Sequence, residues 1–289
     1  MFEQITGLDE YYPSRTEKVI LRRYAAELMH GVEEVSLVEL GSGDCSKISI
    51  LLRAMPGKAI KRTTYVPVDV SPSAMEETRH ELQEKFAGIE VNGIVADFTR
   101  PFRLDSRREK RIFCFFGSTI GNLDRQDAVR LVARLGRMMK TGDRLLLGLD
   151  MVKDKTILER AYNDKGQLTA RFNKNILKVA NRIARTDFHP EHFRHLAFFN
   201  EEQQRIEMHL VATRDMIVRS PLLEGNLVIR KNETIHTENS HKFTLEHIGE
   251  FATSSGLSAK ATYTDSNRWF TLVCFAKQSP PEYAALSRG

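Results

Sequence analysis

Val35-Ser36-Leu37-Val38-Glu39-Leu40-Gly41-Ser42-Gly43-Asp44 is the stretch that decides the fold of this chain. Its first six residues are mostly leucine and valine, the composition of a strand buried on both faces. Two glycines then interrupt the run, and a helical pattern follows from about Asp44. Glycine tolerates backbone angles closed to other residues and lets a ligand come close to the main chain. In open α/β sheets, ligands gather beyond the carboxyl ends of the strands, where such a turn lies. The dinucleotide fingerprint G-x-G-x-x-G is not met, because Ser46 stands at the third glycine position.

Outward from this turn the chain alternates strand and helix. A strand is expected over 63–70, a helix from Ser71-Pro72-Ser73 to about Phe86, and a third strand over 90–95. The apolar run Arg111–Phe116 and the stretch Arg144–Asp150 supply a fourth and a fifth strand, with a helix capped by Asp124 between them. Such alternation argues for a parallel sheet. Asp69, near the carboxyl end of the second strand, suits the two hydroxyls of a ribose, and Asp97 with Phe98 suits an adenine: one accepts from the amine, the other stacks. The first sixteen residues read as compact and turn-like, with Pro13 disfavouring helix at Tyr12 and Ser14 or Thr16 capping a helix to about His30. Residues 152–241 read differently, as a helical part to about 186 followed by alternating β-rich stretches. A helix over 243–255 and strands 259–264 and 269–276 close the chain.

Composition sets bounds. The 289 residues are 41% hydrophobic and 28% charged, ordinary values for a soluble globular protein, and no apolar run is long enough to span a membrane. Three widely spaced cysteines, Cys45, Cys114 and Cys274, fit a reducing compartment and a cytoplasmic enzyme. The net charge of +5 is spread along the chain without the basic-aromatic clusters of a nucleic-acid binder. His189, His192 and His195 surround Pro190 in a spacing open to a metal reading, but the flanking Phe188, Phe193 and Leu196 suit a segment packed on the core, and no metal site is expected.

The form Glu39-Leu40-Gly41-Ser42-Gly43 resembles motif I of class I S-adenosylmethionine-dependent methyltransferases. Gly117-Ser118-Thr119-Ile120-Gly121-Asn122 is similar, more specifically, to the loop of the histidine-specific methyltransferase family of the ergothioneine pathway. The likeness runs in order from about residue 2 to 276. It takes in Glu10-Tyr11-Tyr12-Pro13-Ser14-Arg15, Lys47, Pro67-Val68-Asp69-Val70, Leu146–Asp154, Ala161-Tyr162-Asn163-Asp164, Phe172–Asn175, Arg205-Ile206-Glu207-Met208 and Thr237–Phe243. The resemblance implies a seven-stranded Rossmann-like sheet with helices on both faces, formed by residues 17–151 and 242–289. It also implies an α+β substrate-binding domain formed by 1–16 and the inserted 152–241.

The same resemblance implies roles. S-adenosylmethionine would lie against Gly41, with Lys47 near its carboxylate, Asp69 on its ribose, and Asp97 and Phe98 at its adenine. Tyr11 and Asn122 would meet the backbone end of an amino-acid substrate and act as the catalytic pair, and Tyr162 would hold its carboxylate. Glu238 and Ser240 would bond the imidazole of L-histidine, with Met208 packed beside the ring. Residues 238 and 240 share one face of an extended segment, and an acceptor with a hydroxyl can read the two unlike nitrogens of a neutral imidazole. The expected activity is transfer of up to three methyl groups to the α-amine of histidine, by a monomer that engages neither nucleic acid nor membrane. Another amine, such as an arginine or tryptophan derivative, and cofactor binding without turnover are the competing expectations. Family members carry a further segment before the point where this chain starts, with a tyrosine implied at the substrate carboxylate.

Overall fold

The computed structural model describes residues 2–105, 110–222 and 224–278. In chain order its elements are α1 (Phe2–Thr6), α2 (Tyr12–Leu28), β1 (Val35–Leu40), α3 (Ser46–Arg53), α4 (Gly57–Ile60), β2 (Thr63–Asp69) and α5 (Pro72–Lys85). There follow β3 (Glu90–Val91), β4 (Ile94–Val95), β5 (Lys110–Phe115), α6 (Arg125–Met138), β6 (Arg144–Asp150), α7 (Lys155–Tyr162) and α8 (Leu168–Ala184). Next come β7 (Phe193–Asn200), β8 (Arg205–Ala212), β9 (Met216–Val218), β10 (Leu227–Ile229) and β11 (Thr234–His241), and last α9 (Leu245–Ser255), β12 (Leu257–Thr264) and β13 (Phe270–Lys277). No helix among the described residues is long and apolar enough to cross a membrane.

The chain forms two compact units. The larger comprises Thr16–Ile120, Arg125–Met151 and the chain from Phe243 onward. Its sheet runs β12-β13-β6-β5-β1-β2-β3, with β4 pairing β2 beyond β3, and all pairings are parallel except those of β13. The third strand was expected to be continuous; it is two short pieces, because Pro67 of β2 has no N–H to give its neighbour and the ladder skips from Tyr65–Val91 to Val68–Ile94. Gly93 lies in the gap, where an added Cβ would stand 3.1 Å from Met75 Sδ. A core of Ile20, Leu21, Ile48, Leu51, Leu52, Tyr65 and Phe270 joins α2 and α3 to the sheet. At Gly136 of α6 an added Cβ would meet the Ser255 carbonyl at 2.3 Å, so α6 and α9 pack main chain against main chain.

Two expectations about the N-terminal region are corrected. Residues 2–6 form a helix rather than a turn, and α2 begins at Tyr12. Pro13 thus sits in the first turn, where its missing N–H has no intrahelical partner to lose.

The smaller unit comprises residues up to Arg15, Gly121–Asp124 and Val152–Lys242. Residues 121–124 belong to it although they interrupt the other unit's run in sequence. Its sheet is β11-β8-β7, all antiparallel, beside the hairpin β9-β10. Leu177 of α8 packs with Phe193, Leu210, Ala212, Val218 and Ile229 to make its core. The register of β11 shifts between His236 and Glu238: His236 opposes His209, but Glu238 opposes Met208. Thr237 is the extra residue, its hydroxyl donating to the Met208 carbonyl at 2.9 Å. Neighbouring strand residues point to opposite faces, so this bulge sends Glu238 and Ser240 to the face of Met208 and leaves His236 on the other.

Candidate active site

In the larger unit, the carboxyl ends of β5, β1 and β2 lie side by side. Each ends in a feature suited to a ligand. Gly41 and Gly43 after β1 have φ of +67° and +48°, and Gly117 after β5 has +75°. An added Cβ at Gly41 would touch the Phe98 ring at 3.4 Å, and one at Gly117 would stand 3.1 Å from Lys47 Nζ. Main chain exposed in this way between a ring and an ammonium fits a nucleoside carrying a charged tail. Asp69 is half-buried at the end of β2, where its Oδ1 accepts the Ser71 N–H at 3.0 Å, and among the described residues its other oxygen takes no hydrogen bond. Phe98 meets Phe115 edge to face at 5.3 Å. Asp97 is tied into its own turn: Oδ1 accepts from the Thr99 hydroxyl and N–H, which hold the carboxyl below its usual range.

Lys47 is placed by a residue that the sequence analysis missed. Glu17 is fully buried, and its Oε2 accepts the Gly117 N–H at 2.7 Å and pairs with Lys47 Nζ at 2.6 Å. Among the described residues its other oxygen has no hydrogen-bond partner, and it lies where an added Cβ at Gly148 would come within 2.0 Å. The signal was in the sequence: Glu17 is three and four residues before Ile20 and Leu21, on the apolar stripe of α2, where an acid demands a partner. Gly117 and Ser118 are both left-handed, Ser118 at φ +55°, and the Ser118 hydroxyl accepts the Asp150 N–H at 3.0 Å. A non-glycine residue in that region stores strain that its surroundings must hold. Glu39, also buried, accepts from the Tyr65 hydroxyl at 2.6 Å, and its burial pushes the carboxyl up to about 8 against that bond.

In the smaller unit, the expected substrate residues converge in part. Glu238 lies opposite Met208, Ser240 opposite Ile206, and Met208 is buried. Tyr11 meets Tyr162 edge to face at 6.0 Å. The Tyr162 hydroxyl, assigned by resemblance to a substrate carboxylate, donates to Ser240 Oγ at 2.8 Å. Asn122 ends a short 3-10 turn, Thr119–Asn122, and is exposed. His189 and His192 lie on an exposed turn, whereas His195 is bonded to Asn173 and to the Tyr162 carbonyl, both at 2.9 Å, so these three do not converge. Burial lowers the His195 imidazole from its ordinary range, consistent with a neutral ring that anchors the end of α7.

Lys242 is the second residue missed. It is almost completely buried, with its ammonium donating to Ser240 Oγ at 2.9 Å and to the Tyr162 hydroxyl at 3.1 Å. Its spacing could have revealed it, since 238, 240 and 242 follow one another at the strand period. An ammonium only donates. Ser240 Oγ therefore accepts twice, from Tyr162 and Lys242, and its own proton has no acceptor among the described residues. Glu238, in contrast, takes no hydrogen bond among the described residues; burial raises its carboxyl above the ordinary range, and the Lys242 ammonium partly offsets this. The face thus presents one free donor and one free acceptor.

The family described as "Histidine-specific methyltransferase, SAM-dependent" matches residues 1–277. Histidine N-alpha-methyltransferase of Mycobacterium tuberculosis (strain CDC 1551 / Oshkosh) is 39% identical over 277 residues, 96% of this chain and 86% of the relative. The protein of the same description from Mycolicibacterium smegmatis is 37% identical over 265 residues, covering 92% and 82%. Among solved structures, the CcbJ methyltransferase from Streptomyces caelestis superposes with a TM-score of 0.50 at 11% identity, covering 91% of this chain and 89% of that one, a likeness of fold. The fold is the mostly parallel α/β fold of class I methyltransferases, and the chain belongs to the histidine-specific, S-adenosylmethionine-dependent methyltransferase family.

Proposed function

We propose that this methyltransferase acts on the α-amine of L-histidine, adding up to three methyl groups. The observation that carries the reading is the pair formed by the Ser240 hydroxyl, left to donate, and the Glu238 carboxylate, left to accept. A neutral imidazole has one nitrogen that donates and one that accepts, which matches this pair. An apolar side chain would leave both groups unpaired, a penalty that gives strong discrimination. A guanidinium only donates, and Ser240 would then offer it a proton it cannot take. Lys242 is a positioning residue that directs the serine proton outward, and Tyr162, which shares that contact, is assigned to the substrate carboxylate. Met208 packs beside the ring.

Gly41, Lys47, Asp69, Asp97 and Phe98 are assigned to S-adenosylmethionine, as methionine-end, carboxylate, ribose and adenine contacts. When bound, it supplies the electrophilic sulfonium methyl. The protein's part is positioning, which can lower such a barrier substantially because attack must be in line. Tyr11 and Asn122 are assigned to the amine. The Asn122 side-chain oxygen can accept an amine N–H and orient the lone pair, which must be free of its proton at attack. On this reading the larger unit serves the cofactor, and the smaller unit, which includes Asn122 and Lys242, serves the substrate. The enzyme would work as a cytoplasmic monomer on a free amino acid, in keeping with three unpaired, buried cysteines. The test is mass spectrometry of products after incubation with S-adenosylmethionine and an equimolar pool of amino acids. Methyl groups on histidine alone are expected; methyl groups on arginine or tryptophan would overturn the imidazole assignment.

A further inference from the structure

The sheet β11-β8-β7 carries a second cluster, on the face opposite Met208, Glu238 and Ser240. Glu207 and His209 are two residues apart on β8, and His236 of β11 is the direct cross-strand partner of His209. The two imidazoles stack with centroids 4.5 Å apart and planes within 15°, and Phe198 stacks on His209 at 5.4 Å. Glu207 is buried. Its Oε1 accepts from Arg205, at 2.8 and 2.9 Å, and from Asn200 at 3.0 Å, while Oε2 faces His209 Nε2 at 3.0 Å. One possible ligand atom from each of Glu207, His209 and His236 lies within 4.8 Å of the other two.

We propose that Glu207, His209 and His236 form a binding site for a divalent transition-metal cation of the zinc type, separate from the methyl-transfer site. Two imidazoles and one carboxylate are the donor set that zinc, copper and nickel favour over magnesium or calcium. Bonds of about 2.0–2.2 Å at tetrahedral angles place ligand atoms about 3.3–3.6 Å apart. Closing the triangle from 4.8 Å therefore asks for an approach of about 1 Å, which a side-chain rotation of the exposed His236 can supply. The lone pairs of stacked rings lie in parallel planes, so His236 must also tilt out of the stack before its nitrogen can reach an ion held by His209 and Glu207. The carboxylate is already oriented: Arg205 and Asn200 occupy Oε1 and leave Oε2 toward the histidines, the kind of outer support that ligating carboxylates receive. Exposure of His236 supplies the entry path and leaves room for water to complete the coordination. The positive charge of Arg205 balances that of Glu207, which makes this a site of moderate affinity, filled when the cation is supplied.

The experiment is equilibrium dialysis of the full chain against zinc chloride, with metal analysis of the retained protein, for the parent and for His236→Ala. One zinc per chain is expected in the parent. His236→Ala should bind more than ~10-fold more weakly, since losing even a supporting partner of a ligand costs ~10- to 100-fold. Nitrogen-15 spectra of the parent should show the imidazoles of His209 and His236, not those of His189 and His192, shifting on addition of zinc. No retained zinc would overturn the proposal and leave a hydrogen-bonded Glu–His pair beside a stacked ring. Equal retention by His236→Ala, or zinc-dependent shifts confined to other histidines, would overturn it as well.

Discussion

Glu238→Ala removes the acceptor assigned to the imidazole N–H and nothing else that the fold depends on. The carboxylate is partly buried and takes no hydrogen bond among the described residues, so its truncation frees no protein donor. A hydrogen bond to a charged group is worth about 1.5–3 kcal/mol net. With about 1.36 kcal/mol per factor of ten, the dissociation constant for histidine should rise roughly 10- to 160-fold. Affinity for S-adenosylmethionine should stay at the parent value, because its assigned contacts are in the other unit. Calorimetric titration of each ligand separately reads both. Thermal melting at pH 7 is the control for folding: burying an unpartnered carboxylate costs free energy, so the variant should melt no lower than the parent. Glu238→Gln, which keeps an acceptor oxygen without the charge, should fall between the two. Unchanged histidine affinity would refute the assignment. Joint loss of both ligands would show instead that the residue supports the fold.

Lys242→Met keeps the side-chain length but removes both ammonium hydrogen bonds; kcat/KM for histidine should fall about tenfold or more in initial-rate assays, with cofactor affinity unchanged. Parent-like kinetics would remove Lys242 from the donor alignment. Gly148→Ala drives a methyl to 2.0 Å from Glu17 Oε1, which Lys47 and Gly117 hold in place. Overpacking of about 1–3 kcal/mol should lower the melting temperature by roughly 2–12 °C, read by calorimetry. Glu39 has a folded-state pKa of about 8, raised above its unfolded value, so its contribution is full in acid and is lost as pH rises toward 8. Relative to Glu39→Gln, the parent should therefore lose melting temperature steadily from about pH 5 to pH 8, and a constant difference across that range would show that the carboxyl is not so perturbed.

The class of fold was legible because its signals are local. The apolar run at 35–40 and the glycines at 41 and 43 carry their meaning in a dozen residues, and the structure has the strand and both left-handed glycines there. Alternation of helix and strand gave a parallel sheet for the same reason. Reading by local rules went astray where a neighbour in space decides. Pro13 suggested a later helix start, yet the helix accommodates it in its first turn. The third strand looked continuous, but Pro67 on the adjacent strand, more than twenty residues away, interrupts its ladder.

For the site, residue types and the two-residue step from Glu238 to Ser240 were visible in the sequence by themselves, because strand periodicity is a property of the backbone alone. Only the tertiary structure decided how those groups are aimed. The bulge at Thr237 sets which face Glu238 and His236 occupy, and a bulge is fixed by pairing with a partner strand. The outward direction of the Ser240 proton follows from Tyr162 on α7 and from the buried Lys242, whose face the strand period gives but whose partners it does not. Glu207, His209 and His236 are brought together by the register of two strands. Sequence distance carries no record of register, since pairing is chosen by the packing of whole faces against a core.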